Sequence, residues 1–254
     1  MKRKALFVYN PRSGEMPVGD LLDEITELYQ QKGYSLTLHR RTFAEEAGHP
    51  LDVLDNSWDH ILFAGGDGSV NYIINELKSR GTDVPLAILP AGTANDFANA
   101  LGMPTNILDG VKAILDGEER SVDIGKVNGT YFANVFSCGR FTDISQKTPT
   151  VMKNTLGKLA YYINGIGELP KFHKMGLKVT TDGGDFEGNA LIMFVFNGQT
   201  AGTLPLAYLS DIEDGLLDLM ILKGDTPLDT VRTAMSYLPH KYKNKTYPPG
   251  IVHI

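Results

Sequence analysis

The sequence predicts a two-domain protein, with an α/β domain built on a parallel sheet followed by a mainly antiparallel β-sandwich domain. Up to about residue 121, short apolar runs alternate with segments of helical periodicity, which is typical of a parallel sheet covered by helices. Beyond that point, strand-like runs are joined in pairs by glycine turns. This change predicts domains at 1–122 and 123–254.

The first domain is predicted as four strands and four helices. In the first helix, Leu21, Ile25 and Leu28 fall on one face and Gly33 supplies a stop. The predicted strands are 4–10, 35–42, 61–64 and 85–90. The predicted helices are 21–33, 70–80 and 107–117, together with a cap and a short helix within 91–101.

The second domain is predicted mainly from its hairpin signals. Asn128-Gly129 separates two strand-like runs, and a second pair of runs turns at 182–184. A further strand is predicted at 216–222, and a helix at 151–169 interrupts the strands.

Composition excludes several classes of function. Of 254 residues, 42% are hydrophobic and 21% are charged, and the formal net charge of −6 argues against a nucleic-acid partner. The single cysteine, Cys138, excludes an internal disulfide and a zinc site built from cysteines, and is expected to be a small core residue. No apolar run is long enough to span a bilayer. We expect a soluble cytoplasmic protein, and the sequence leaves a homodimer open.

Three polar loops that contain glycine follow predicted strands. They are NPRSG (10–14), GGDGS (65–69) and PAGTAND (90–96). In an open parallel sheet, ligands bind beyond the carboxyl ends of the strands. Glycine lets backbone N–H groups approach a phosphate, and a helix start adds N–H donors and a favourable dipole. Ser69 and Thr93 can add hydroxyl donors.

The general nucleotide fingerprints are absent. The sequence has no G-x-x-x-x-G-K-[ST] and no G-x-G-x-x-G after the first strand. GGDG alone is a weak signal, for which a simple turn is the better interpretation. Three such loops at successive strand ends favour a phosphate site.

Three aspartates are candidates for the reaction centre. A carboxylate at Asp67 would repel a phosphate unless Mg²⁺ lay between them, and Asp96 and Asp123 could serve the same ion or its waters. The alternative for Asp96 is a helix N-cap, and the alternative for Asp123 is a strand-end residue that faces water.

NPRSG, GGDGSVN and PAGTANDFA, in this order and spacing, resemble the diacylglycerol kinase catalytic-domain family, in particular its bacterial lipid-kinase branch. That family is related to NAD kinases and sphingosine kinases. The resemblance covers essentially the whole chain, including the stretches 148–166, 194–202 and 209–222.

The resemblance implies a nucleotide domain and a β-sandwich with the active site in the cleft between them, and ATP and Mg²⁺ as cofactors. It implies that Asp67, Asp96 and Asp123 form an aspartate and water network around Mg²⁺. The implied ATP contacts are Asn10, Pro11, Arg12, Ser13, Gly14, Thr42, Gly65, Gly66, Asp67, Gly68, Ser69, Val70, Asn71, Tyr72 and Thr93.

The resemblance also implies a second, structural Mg²⁺ in the stretch SDIEDGLLD. Asp211 and Asp214 would be side-chain ligands, and Leu216 would offer its backbone carbonyl. The residues alone favour the alternative, a solvated acidic turn.

The sequence departs from the family pattern at several positions. Ser69 stands where threonine is common, Tyr72 where glutamate is common, and Glu15 where lysine is common, which removes a cation from near the phosphates. Relatives continue for several strands and carry an Asp-Gly-Glu motif whose aspartate is taken as the general base. This chain ends at PPGIVHI, so we expect either a truncated sequence, which we favour, or a protein that lacks this base.

Two functions are weighed. The first is an ATP-dependent kinase that phosphorylates the hydroxyl of a lipid, most simply diacylglycerol, or of another lipid or soluble alcohol. The second is a nucleotide-binding module without turnover. For a lipid substrate we expect peripheral contact with the inner membrane face. The helix 151–169, with Lys153 and Lys158, and the basic stretch 240–245 are candidates for that contact. The alternatives are a packed helix and a solvated loop.

Overall fold

The computed structural model describes residues 3–10, 18–41, 49–55, 57–139, 174–223, 247 and 250–254. The chain divides into two compact units, Met1–Ala133 and Asn134–Ile254. The division therefore follows Ala133, whereas the sequence placed it near residue 122. The intervening hairpin belongs to the first unit because it is hydrogen-bonded to a helix of that unit, as described below.

The first unit contains a four-stranded parallel sheet, as predicted. Its strands are β1 (Arg3–Tyr9), β2 (Tyr34–Arg40), β3 (His60–Gly65) and β4 (Leu86–Pro90), in the order β2-β1-β3-β4. Tyr9 pairs with both Arg40 and Ala64, and Gly65 pairs with Pro90. The carboxyl ends of all four strands therefore lie at one edge of the sheet.

Helices cover both faces of this sheet. They are α1 (Leu22–Gln31), α2 (Asp67–Arg80), α3 (Asp96–Ala100) and α4 (Ile107–Asp116), with short 3-10 helices at Val18–Leu21 and Pro50–Val53. Helix α2 begins at Asp67 and not at residue 70, because Gly66 occupies the N-cap position. Helix α3 is the short helix predicted within 91–101, and it follows a turn at 91–95.

The central strands are buried on both sides. Phe7 and Leu62 pack on one face with Ile25 of α1 and Val111 of α4. The intervening residues, such as Val8 and Phe63, pack on the opposite face with Ile73 of α2 and Phe97 of α3. This two-sided burial explains why the strands are continuous apolar runs without polar alternation.

A hairpin of β5 (Gly125–Val127) and β6 (Thr130–Phe132) ends the first unit. Its turn is the predicted Asn128-Gly129, with φ of 47° and 86°. Positive φ at both positions is the requirement of the tight turn that this dipeptide favours.

The second unit is antiparallel, as predicted. One sheet has the order β14-β13-β10-β7, from strands β7 (Val135–Gly139), β10 (Ile192–Phe196), β13 (Asp218–Leu222) and β14 (Ile251–His253). Hairpins join β8 (Met175–Thr181) to β9 (Gly184–Ala190) and β11 (Thr200–Ala201) to β12 (Leu204–Pro205). Strand β13 begins at Asp218, and the predicted Leu216 and Leu217 are exposed loop residues. The predicted helix 151–169 and the stretch 240–245 lie outside the described residues.

Among the helices that the structure describes, none combines the length and the apolar character needed to cross a bilayer.

Candidate active site

Two of the predicted glycine loops, those after β3 and β4, lie together at the carboxyl edge of the parallel sheet. Strand β1 lies between β2 and β3 in the sheet, so the order in which strands are added reverses between β1 and β3. Ligands of open α/β sheets bind at such a point. Asn10 lies there, and its N–H donates to the carbonyl of Ala64 over 3.3 Å. Pro11, Arg12, Ser13, Gly14 and Thr42 lie outside the described residues.

The loops after β3 and β4 touch through their backbones. A Cβ at Gly66 would lie 3.0 Å from the Cα of Gly92, and a Cβ at Gly92 would overlap the Cα of Gly66. The N–H of Ala91 also donates to the carbonyl of Gly65 over 3.3 Å. Gly66 and Gly92 are therefore needed so that the two loops can meet, a role that the sequence analysis did not assign.

Asn95 shapes the turn between β4 and α3. Its carboxamide accepts from the N–H of Gly92 over 2.7 Å and donates to the Gly92 carbonyl over 2.8 Å. Asn95 adopts the left-handed conformation, with φ of 53°, and occupies the N-cap position of α3. The alternative weighed for Asp96, that it is the N-cap, is therefore wrong: Asp96 is the first residue of α3 and only 5% exposed.

Asp67 connects the starts of two helices. It is the first residue of α2, and its Oδ1 accepts from the backbone N–H of Phe97 in α3 over 3.1 Å. Burial raises the pKa of the Asp67 carboxyl; the Phe97 N–H opposes this increase and the charge of Asp96 adds to it. The carboxylates of Asp67 and Asp96 are thus close enough to interact. A bound cation would offset both the desolvation of the Asp67 carboxylate and the repulsion between the two charges.

The glycines of GGDG differ in how much space a side chain at each position would have. A Cβ at Gly65 would lie 2.8 Å from the Phe63 ring and 2.9 Å from the Cβ of Ser69, so Gly65 is required by packing. A Cβ at Gly68 would meet no atom of the described residues within 4 Å, and Gly68 does not have a positive φ. Packing and conformation therefore give no reason for glycine at 68, and the space beside it at the start of α2 is open to a ligand.

Two predicted ATP contacts have side chains engaged elsewhere. Val70 is buried in the core beneath α2, at 2% exposure. Asn71 accepts the N–H of Ala133 through its Oδ1 over 2.9 Å. Either residue could therefore reach a ligand only through its remaining backbone or amide groups.

Asn75, one turn further along α2, also binds the end of the first unit. Its carboxamide accepts from the N–H of Tyr131 and donates to the Tyr131 carbonyl, each over 2.8 Å. Asn71 and Asn75 together hold strand β6 and the residue after it against α2, much as a neighbouring strand would. Sequence analysis missed Asn75, although its spacing of four from Asn71 places both on one helix face.

For the remaining predicted site residues of this unit, the structure gives their location in the fold. Ser69 lies in the first turn of α2 and Thr93 is exposed on the loop after β4. Asp123 lies between Val122 and Ile124, which pack against the same core cluster as Phe97. Its part in an aspartate network stays a prediction.

The predicted structural metal loop lies in the second unit. Asp211 accepts from the N–H of Glu213 over 3.0 Å, and Asp214 accepts from the N–H of Leu216 over 2.9 Å. Within the described ranges, no three His, Cys, Asp or Glu side chains are grouped to hold a metal ion. A cation here would depend on backbone carbonyls such as that of Leu216, and this site also stays a prediction.

Comparison with known proteins places this fold in a class. Residues 138–243 match the family model described as the YegS C-terminal NAD kinase beta sandwich-like domain, and residues 4–127 match the diacylglycerol kinase catalytic domain. An α/β unit with glycine loops at its carboxyl edge, followed by an antiparallel unit, is thus the NAD-kinase-like two-domain architecture.

Individual relatives give the family. A diacylglycerol kinase of Bacillus subtilis (strain 168) is 35% identical over 245 residues, which cover 95% of this chain and 81% of the relative. A diacylglycerol kinase of Staphylococcus aureus (strain JH9) is 32% identical over 226 residues, 88% and 71% of the two chains. The crystal structure of a diacylglycerol kinase from Bacillus anthracis str. Sterne superposes with a TM-score of 0.75 at 28% identity, covering 99% of this chain and 83% of that one. This chain belongs to the diacylglycerol kinase catalytic-domain family.

Proposed function

We propose that this protein is an ATP-dependent lipid kinase that transfers the γ-phosphoryl group of ATP·Mg²⁺ to a lipid hydroxyl, with diacylglycerol as the acceptor. The observation that carries the proposal is the convergence of Asp67, Asp96 and the open position at Gly68 at one edge of the sheet. The relatives named diacylglycerol kinase support the choice of acceptor.

The residues at this edge fit a phosphate chain with its cation. The first turn of α2 offers the backbone N–H groups and positive dipole end that phosphate oxygens prefer, and the absence of a side chain at Gly68 lets them approach. The hydroxyls of Ser69 and Thr93 can donate to the same oxygens. Asp67 would hold Mg²⁺, with Asp96 acting directly or through water.

The transfer exchanges one P–O bond for another. A bond forms between the lipid hydroxyl oxygen and the γ-phosphorus, the bond from the γ-phosphorus to the β,γ-bridging oxygen breaks, and ADP leaves while the hydroxyl proton passes to solvent. Bound Mg²⁺ would neutralise charge that develops on the phosphate oxygens. Positioning is the task of this chain, and the contact between the loops at Gly66 and Gly92 fixes the groups that perform it.

We further propose that the protein works in the cytoplasm and meets the inner membrane face peripherally, since the acceptor lies in the bilayer. Asp211, Asp214 and the Leu216 carbonyl would bind a structural Mg²⁺ away from the reaction.

A transfer assay tests the proposal. The purified protein is incubated with γ-labelled ATP, Mg²⁺ and diacylglycerol in detergent micelles, and labelled phosphatidic acid is measured. Asp67→Asn should reduce transfer by about 100-fold or more, because a metal-binding carboxylate contributes several kcal/mol to the transition state. Asp109→Asn is the matched control, since Asp109 is an exposed carboxylate in the first turn of α4.

The outcomes separate the alternatives. Transfer by Asp67→Asn at the wild-type rate, with an unchanged melting temperature, contradicts the assigned site. ATP binding by the wild type without transfer to any alcohol indicates either a nucleotide-binding module or a kinase chain that is missing its general base. Transfer to a different lipid or to a soluble alcohol keeps the kinase and changes its acceptor.

A further inference from the structure

Arg41 brings a positive charge to the start of α2. It directly follows β2, and its backbone N–H donates to the carbonyl of Tyr9 over 2.8 Å, which fixes it at the carboxyl edge beside Asn10. Its guanidinium reaches the first turn of α2, where Nη1 lies 3.4 Å from the Oγ of Ser69.

The aromatic ring of Tyr72 stacks against the guanidinium of Arg41. The Arg41 Cζ lies 4.4 Å from the centre of the Tyr72 ring, a cation–π distance. The Tyr72 hydroxyl is 2.8 Å from His49 Nε2, and the same nitrogen lies 3.1 Å from Glu76 Oε2. The Tyr72 ring that stacks on Arg41 is therefore held by His49, and His49 is in turn held by Glu76.

The electrostatics of this arrangement indicate an anion. A helix N-terminus is the positive end of the helix dipole, so Arg41 adds to the positive potential that attracts a phosphate there. Stacking uses the flat face of a guanidinium and leaves its N–H edge in the plane, the edge that pairs with two phosphate oxygens. The open position at Gly68 lies in the same helix turn as Ser69.

We propose that Arg41 binds a phosphate group of the nucleotide at the start of α2, and that Tyr72 positions Arg41 for this contact. The inference rests on the proposed function and adds two residue roles to it. Tyr72, expected from the sequence to touch ATP, acts through Arg41 instead.

Nucleotide titration with a matched arginine tests this role. Arg41→Gln should weaken ATP·Mg²⁺ binding about tenfold or more, because charge-assisted hydrogen bonds are the stronger kind, and should leave adenosine binding unchanged. Arg3→Gln is the control: Arg3 also stacks on a tyrosine, 4.1 Å from the Tyr34 ring, but lies at the start of β1 on the opposite edge of the sheet. Its ATP affinity should stay within twofold of wild type.

A double-mutant cycle tests whether Tyr72 acts through Arg41. Tyr72→Ala should weaken ATP binding severalfold in the wild type and add nothing in Arg41→Gln, whereas Arg41→Lys should restore part of the affinity. Melting temperatures of all variants show whether the fold is intact.

Several results would overturn the proposal. Arg41→Gln with wild-type ATP affinity does so while leaving the kinase proposal standing, provided that the wild type binds ATP. An equal loss for ATP and adenosine places Arg41 away from the phosphates. Weaker binding to vesicles of anionic phospholipid, with ATP affinity retained, identifies a lipid headgroup as the anion. A wild type that binds no ATP removes this inference and the proposed function together.

Discussion

Two regions of this molecule were predicted to bind Mg²⁺, and they are built in different ways. At the carboxyl edge of the parallel sheet, Asp67 accepts a hydrogen bond from Phe97, 30 positions away in sequence. In the acidic loop of the second unit, Asp211 and Asp214 each accept from an N–H two positions ahead. The first carboxylate joins separate elements, whereas the other two shape their own turn.

The difference shows what a carboxylate's partners reveal about its role. Aspartate commonly accepts from the backbone two residues on and so stabilises a turn without any ligand. A partly buried carboxylate that bridges two helix starts, next to a second carboxylate, has no such local explanation. The sheet edge therefore carries the functional proposal, and the acidic loop needs a direct test.

The largest effect is expected where the two glycine loops meet. Gly92→Ala places a methyl group against the Cα of Gly66, and such overpacking should lower the free energy of unfolding by about 1–3 kcal/mol or more. Urea denaturation measures it. Gly68→Ala, two positions after Gly66 and in open space, is the control and should be neutral or slightly stabilising. Equal stability of both variants would mean that the loops do not press together.

A smaller loss is expected at the other end of the first unit. Asn75→Ala leaves the N–H and carbonyl of Tyr131 without their partners, at a cost of about 1–3 kcal/mol. Hydrogen exchange at the Tyr131 amide should rise well above that of Ser79→Ala, a control on the same helix whose hydroxyl bonds only locally. Unchanged Tyr131 protection in Asn75→Ala would contradict the contact.

The smallest effect is expected in the acidic loop. Asp214→Ala removes one turn hydrogen bond, a loss of about 0.5–1.5 kcal/mol. If the loop binds Mg²⁺ as proposed, a chelator should also lower the melting temperature of the wild type and leave Asp214→Ala nearly unaffected, because an ion bound only to the folded state stabilises it. Equal chelator sensitivity of the two proteins would mean that the acidic loop is a turn without a bound ion. Only the sheet edge would then remain as a proposed Mg²⁺ site.

The sequence predicted the sheet of the first unit because each buried strand is a continuous apolar run followed by a polar loop. It also located Asp67 and Gly68 within a candidate phosphate site, since glycine and aspartate at a strand end are visible as a motif. The division between the units was harder to place. An asparagine inside a helix gives no signal that it binds a strand 56 positions away, as Asn75 does with Tyr131.

Other features of the site depend on tertiary contacts that no local pattern encodes. Gly66 and Gly92 each lie in a loop whose composition suits phosphate binding. Their contact with each other, however, follows from the pairing of β3 with β4. Asn95 could have been suspected, because asparagine tolerates the left-handed conformation better than most residues. Arg41 could not be predicted from the sequence, because its proposed role depends on its contacts with Tyr72 and Ser69, which belong to helix α2.

The most direct test of the account is the affinity of Gly68→Val for ATP·Mg²⁺. A Cβ at this position meets no described atom within 4 Å, so the variant should fold with stability within about 1 kcal/mol of the wild type. Its side chain would fill the space assigned to the phosphates, and calorimetric titration should show binding at least tenfold weaker. Gly66→Val cannot serve, because it disturbs the contact with Gly92. A folded Gly68→Val protein that binds ATP·Mg²⁺ as tightly as the wild type would contradict the assignment of the phosphate site to the start of α2.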